Sequence, residues 1–291
     1  MPQIALLLST VIWGATFPAT KIALDQVPPF TFLFLRFLLG ALLVLGAMLL
    51  LRTRLSLTRN LLWRSVVATT FLFLGYAAQT VGLRYTTASN SAFLTALYVI
   101  FVPLFLLRFE WRTWVSVGLA VTGLWFLVKP SVAMNVGDLW TLGCAAAFAL
   151  HIICLERYTR HGDAALLLLW QMLLVLAPIV PAMVLENPAV SELTPSPPLL
   201  VSLGVTGGLA TAAFGIQVWA QKVVPAQRVA LIFSLEPAYA AWLAWYYLGE
   251  RLGPSSWVGS GLILTAVLLS TLRPLKPEPA PAGAILATPK A

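Results

Sequence analysis

The chain has 291 residues, of which 60% are hydrophobic and only 10% charged, with a formal net charge of +8. Soluble domains carry about 25% charged residues, so a soluble globular protein is excluded and a polytopic membrane protein is indicated. A basic excess can signal nucleic-acid binding, but here the positive charges sit between apolar runs, where they orient a membrane protein instead.

About 20 apolar residues cross a bilayer as a helix. In chain order, such runs are predicted near 4–24, 30–51, 61–82, 88–107, 111–128, 137–156, 164–185, 199–221, 226–248 and 255–272. The expected fold is therefore an all-α integral membrane protein of ten spans. The first run has no basic segment before it and continues past the length of a signal-peptide core, so it is read as a retained span. The two cysteines, Cys144 and Cys154, fall in the sixth run. Ten residues of helix separate them by about 15 Å, too far for a disulfide. Beyond the last run, 273–291 is rich in Pro and Ala and is expected to be a disordered cytoplasmic tail.

With the N-terminus placed in the cytoplasm, the inside loops and tail hold thirteen of the 18 Lys and Arg. The outside connections hold only Lys21, Arg84, Lys129 and Arg251, and Arg36 lies within the second span. This bias satisfies the positive-inside rule with both termini inside.

The chain also repeats itself. Shifted by 138 residues, Gln79 meets Gln217, Arg84 meets Lys222, Ala88 meets Ala226, Ala92 meets Ala230 and Leu97 meets Leu235. After a small gap, Glu110 meets Glu250. Each half, 1–128 and 137–272, then holds five spans. An odd number makes the second half enter the membrane from the opposite side. Inverted repeats with interrupted helices are a transporter signature, and the site is expected near the midplane where the halves meet.

The ninth run holds one ionisable side chain at depth, Glu236, followed by Pro237. An intramembrane carboxylate is costly and ought to face protein or water. It either binds a substrate amine or a coupling proton, or it bonds a neighbouring helix and holds the fold. Proline at 237 removes a donor and crowds the carbonyl of Phe233, which makes that turn a place for the helix to bend. Pro18 and Pro103 are the other candidate interruptions. Helical spacing and the repeat place Tyr98 opposite Glu236. Gln79 and Gln217 lie at matching depths, either lining a path or joining helices. His151 could titrate near neutral pH or simply bond another helix. Trp13 and Thr16 of the first span, with Tyr76, Thr95 and Tyr239, complete the candidate cavity. Asn90 is included, with helix capping as the plain alternative. Arg36, about two turns into its span, is expected to snorkel to the outer interface. The polar residues at depth put the cavity on spans 1, 3, 4, 6, 8 and 9.

These residues together resemble the drug/metabolite transporter superfamily, in particular its EamA-type members with two five-helix repeats. The resemblance rests on Trp13-Gly14, Phe17 and Lys21, on Pro28-Pro29 and Arg36-Phe37, and on the stretch 88–101. It continues through Gly137-Asp138, Leu235-Glu236-Pro237 and Leu248-Gly249-Glu250-Arg251, and it covers about 4–272. It implies an inner-membrane carrier of a small metabolite such as an amino acid, working by alternating access and moving its substrate outward. The other readings are a flippase-like carrier of a lipid-linked molecule and an intramembrane enzyme. An enzyme would need a cluster of His, Asp and Glu that the spans lack. No nucleotide-binding loop, cofactor motif or metal-ligand set is visible. The expected partners are a small-molecule substrate and the bilayer, with no nucleic acid, and nothing in the sequence calls for more than a monomer.

Overall fold

The computed structural model describes residues 1–107, 109–128, 135–160, 162–189, 192–251 and 253–271. Among them every regular element is helical. They form α1 (Pro2–Ala23), α2 (Pro29–Leu50), α3 (Arg59–Leu83), α4 (Ala88–Ala96), α5 (Tyr98–Phe105), α6 (Trp111–Val128) and α7 (Val136–Thr159). They continue as α8 (Ala164–Leu174), α9 (Leu176–Glu186), α10 (Pro197–Leu203), α11 (Ala210–Ala220), α12 (Ala226–Phe233), α13 (Glu236–Leu248) and α14 (Pro254–Thr271). A π-helical turn, Gly204–Leu209, joins α10 to α11. The tail assigned from sequence to 273–291 lies outside the described residues.

Eight of these segments are long and apolar enough to cross a membrane, counting α4–α5, α8–α9, α10–α11 and α12–α13 as one span each. Two shorter apolar helices, Thr113–Leu127 and Pro254–Ser270, belong to α6 and α14 and lie along each other. The outer surface is that of a lipid-immersed bundle. Leu8, Leu42, Leu74, Trp125, Trp245 and Tyr246 are all exposed, a costly arrangement in water and an ordinary one against acyl chains.

Among the described residues three spans break between two α-helices, and another, α10–α11, passes through the π-helical turn. The ninth breaks at Ser234–Leu235, between α12 and α13. Pro237 cannot bond back to Phe233, so α12 ends there and α13 begins with proline in its first turn. The fourth breaks at Leu97, the position the repeat equates with Leu235, although Val99 stands where Pro237 would fall. Its turn tightens through bonds from Leu97 N to Leu94 O at 3.2 Å and from Ile100 N to Leu97 O at 2.9 Å. The seventh breaks at Val175, three residues before Pro178. Two of the three prolines proposed as breaks need correction. Helix α1 runs through Pro18 without interruption. One missing N–H removes one bond, and packing against α11 and α13 holds the remainder. Pro103 lies inside α5, six residues beyond the break at Leu97.

The helix ends are joined by buried or half-buried carboxylates that accept hydrogen bonds from free backbone N–H groups. Asp138 forms a capping box with Asn135 at the start of α7 and also accepts from Thr86 Oγ1 at 2.9 Å and Asn90 Nδ2 at 2.6 Å. Lys21 Nζ donates to Leu83 O at 2.6 Å and Thr86 O at 2.9 Å. Glu250 accepts from Ala88 N at 3.1 Å and from the Ser89 hydroxyl, fixing the start of α4. Glu186 accepts from Phe30 N and Thr31 N at the start of α2. Glu156 accepts from Ala226 N at 2.9 Å at the start of α12. These bonds fix the fourth and ninth spans at their starts, so their loose points lie at mid-span.

Candidate functional site

A cavity of about 50 Å³ lies between the breaks of the fourth and ninth spans, lined by fourteen residues. Trp13, Thr16 and Phe17 come from α1, Tyr76 and Gln79 from α3, and Thr95 and Tyr98 from the fourth span. Phe148, His151 and Ile152 come from α7, Phe214 and Gln217 from α11, and Phe233 and Glu236 flank the break of the ninth span. Nine of the eleven candidate residues read from sequence face this one space. The spans that contribute are the six expected, and among the described residues α2, α6, α8, α9 and α14 add nothing to the lining.

Local sequence explains this convergence. Five of the lining spans carry an aromatic residue three positions before a polar one: Trp13 and Thr16, Tyr76 and Gln79, Phe148 and His151, Phe214 and Gln217, Phe233 and Glu236. Residues three apart share a helix face, so each span offers the cavity one ring and one polar group. The rings pack edge to face. Phe214 meets Trp13 at 4.7 Å between centroids, and Tyr76 meets Phe148 at 5.1 Å. Close backbone approaches set the helices. A methyl group at Gly14 would lie 2.9 Å from the Glu236 carbonyl, and one at Gly75 would lie 2.4 Å from the Phe148 ring.

Glu236 is 7% exposed. The Tyr98 hydroxyl faces its carboxyl, as the repeat led one to expect, though that hydroxyl makes no hydrogen bond of ordinary geometry. Among the described residues no cation pairs with Glu236. His151 Nε2 lies 2.8 Å from Gln171 Oε1, and its ring stands edge-on to Phe214. Gln79 donates to Thr95 Oγ1 at 3.3 Å, and Thr95 also meets the Cys144 thiol. Cys144 and Cys154 are both free.

The remaining candidates are placed elsewhere. Asn90 sits in the Asp138 cluster, and the cap of α4 is Thr87, whose hydroxyl accepts from Asn90 N. Tyr239 is half-buried in the crossing of α1 over α13, with its Cβ against Gly14. Arg36 departs most from expectation. It is 3% exposed and does not reach the interface; its guanidinium lies 4.4 Å from the centroid of the Tyr76 ring. A cation on a ring face is stabilised by about 2 kcal/mol when desolvated, which offsets part of the cost of burying it. Phe214, at the centre of the aromatic cluster, was absent from the candidates. The aromatic-x-x-polar spacing is the signal that finds it.

The description of the EamA-like transporter family matches the chain twice, over residues 1–129 and 135–272. An uncharacterized transporter of Archaeoglobus fulgidus is 33% identical over 277 residues, covering 93% of this chain and 86% of that protein. The uncharacterized inner membrane transporter YedA of Escherichia coli is 28% identical over 291 residues, covering 93% and 92%. A protein of known crystal structure superposes with a TM-score of 0.75 at 15% identity over 93% of this chain, a likeness of fold alone.

Proposed function

The chain belongs to the EamA-like transporter family, and from that premise we propose that it is a secondary transporter that exports a small metabolite, such as an amino acid, across the inner membrane by alternating access. One observation carries this reading. A lone buried carboxylate sits at the break of one span, opposite the break of its repeat counterpart, in a cavity shared by six spans. A bundle built for stability alone would fill such a space or pair such a charge. Broken spans supply the freedom that a change of access needs, because each half of the helix can tilt on its own.

In this reading α6 and α14 complete ten spans as two inverted five-helix repeats, 1–128 and 137–272, with both termini in the cytoplasm. The carrier works as a monomer, without cofactor, and is not an enzyme. A cavity of about 50 Å³ holds roughly four waters. The state described is therefore contracted around its site, and cargo enters after one set of half-helices has moved. The test is uptake of a broad panel of radiolabelled metabolites, amino acids among them, into proteoliposomes containing the purified protein. Saturable flux of at least one compound above empty liposomes is expected. Flux indistinguishable from empty liposomes across the panel would contradict the proposal.

A further inference from the structure

The hydrogen-bond pattern around the cavity fixes which polar atoms remain for a ligand. Gln221 Nε2 donates to the backbone carbonyl of Ile152 at 2.8 Å, so its oxygen is the atom that accepts from Gln217 Nε2 at 3.0 Å. That leaves Gln217 Oε1 without a protein donor among the described residues. Gln171 is fixed in the same way, since its Nε2 donates to Leu167 O at 3.2 Å. Its oxygen therefore faces His151, and an amide oxygen only accepts. His151 must carry its hydrogen on Nε2, which leaves the lone pair of Nδ1 bare. Gln79 donates through Nε2 to Thr95, leaving its own oxygen. Glu236 adds a carboxyl group that no cation pairs with among the described residues. Against these acceptors stand fewer donors, the buried and unpaired Trp13 indole N–H and Tyr98 hydroxyl and the Tyr76 hydroxyl of the same lining.

From this imbalance, and resting on the transporter reading above, we infer that the site takes its substrate by a primary ammonium group. Such a head group supplies three N–H donors and one positive charge. Glu236, His151 Nδ1 and Gln217 Oε1 receive the donors. The Phe214 and Tyr76 rings line the same space, and aromatic rings attract cations. A carboxylate or phosphate head would meet mostly lone pairs. Arg36, the buried cation nearest the site, lies behind the Tyr76 ring and outside the lining. His151 and Gln217 thus set specificity, and Gln171 and Gln221 are positioning residues that hold their amides in register.

The test compares three probes that share one ring, using the purified full-length protein in calorimetric binding and in proteoliposome uptake. The probes are phenethylamine, its N,N,N-trimethyl analogue and 3-phenylpropionate. Phenethylamine is expected to bind more tightly than the other two. His151→Phe and Gln217→Leu should each weaken phenethylamine by about tenfold or more, and an unfolding midpoint close to the wild type, read from tryptophan fluorescence, shows that the variants are folded. Equal or tighter binding of 3-phenylpropionate overturns the inference. So does equal binding of the trimethyl analogue, and so does a lack of binding by all three at millimolar concentration. The transporter reading fails separately: it falls only if the broad panel shows no flux, and it survives if a carboxylate or neutral compound is carried.

Discussion

Replacing Gly14 by alanine drives a methyl group into the crossing of α1 and α13. The added carbon would lie 2.6 Å from Tyr239 Cβ, 2.9 Å from the Glu236 carbonyl oxygen and 3.1 Å from Ala240 N. Unstrained carbon contacts lie at about 3.5–4.0 Å, so the helices must part by roughly 1 Å. Two of the three obstacles are backbone and cannot rotate away. Overpacking of this kind costs about 1–3 kcal/mol. The strain falls on the residue that carries the carboxylate, and a shift of about 1 Å at a working group can lower a rate about 100-fold. Gly14→Ala should therefore lower the thermal unfolding midpoint, read from tryptophan fluorescence in detergent, and depress flux by tenfold or more, an estimate on that same scale. Gly143→Ala is the control, because a methyl group there meets no atom within 4 Å. If Gly14→Ala matched the wild type in both midpoint and flux, the close seating of α1 on α13 would be refuted.

Three other outcomes follow from the same geometry. Asp138→Asn replaces an oxygen that faces donors with an amide nitrogen; the loss of bonds to Thr86, Asn90 or Asn135 N should cost about 1–3 kcal/mol, and an unchanged unfolding midpoint would count against the cluster. Arg36→Met keeps the bulk and removes the contact with Tyr76 together with the larger cost of burying the charge, so an unchanged or raised unfolding midpoint is expected, whereas a lowered midpoint would mean that the ring contact outweighs that cost. Tyr98→Cys and Gln217→Cys, in a background with Cys144 and Cys154 replaced by serine, should react with a charged thiol reagent from one side of the membrane, and protection of both sites under every condition would argue against the pathway.

Much of this was legible in the sequence, for a simple reason. Spans are apolar all round, so the rare polar residues at depth declare themselves, and Thr16, Gln79, His151, Gln217 and Glu236 fall on the lining without any tertiary information. The break at Ser234–Leu235 was legible through the missing N–H of Pro237. The matching break at Leu97 had no proline to signal it and could be inferred only from the repeat. Arg36 was misread because an arginine two turns into a span can extend to either side, and only the presence of Tyr76 on α3 decides. Asn90 was misread because a polar residue at a helix start serves the cap or its neighbours as readily as a cavity, and Asp138 lies 48 positions away in the chain. Phe214 was missed because a lining phenylalanine and a lipid-facing one look alike until the spacing to Gln217 is compared across spans.

The central claim is that Glu236 works in transport and does more than hold the bundle together. It is met most directly by measuring flux of an identified substrate in proteoliposomes for the wild type and Glu236→Gln, across pH 5 to 8. Glutamine keeps the shape and hydrogen-bonding capacity of the side chain but cannot take up or release a proton, nor carry the charge that holds a cationic amine. The account predicts that Glu236→Gln inserts, folds and unfolds at about the wild-type midpoint, loses net flux, and shows no trace of whatever pH dependence the wild type has. Wild-type flux by Glu236→Gln over that whole pH range would contradict it and leave the carboxylate a structural group.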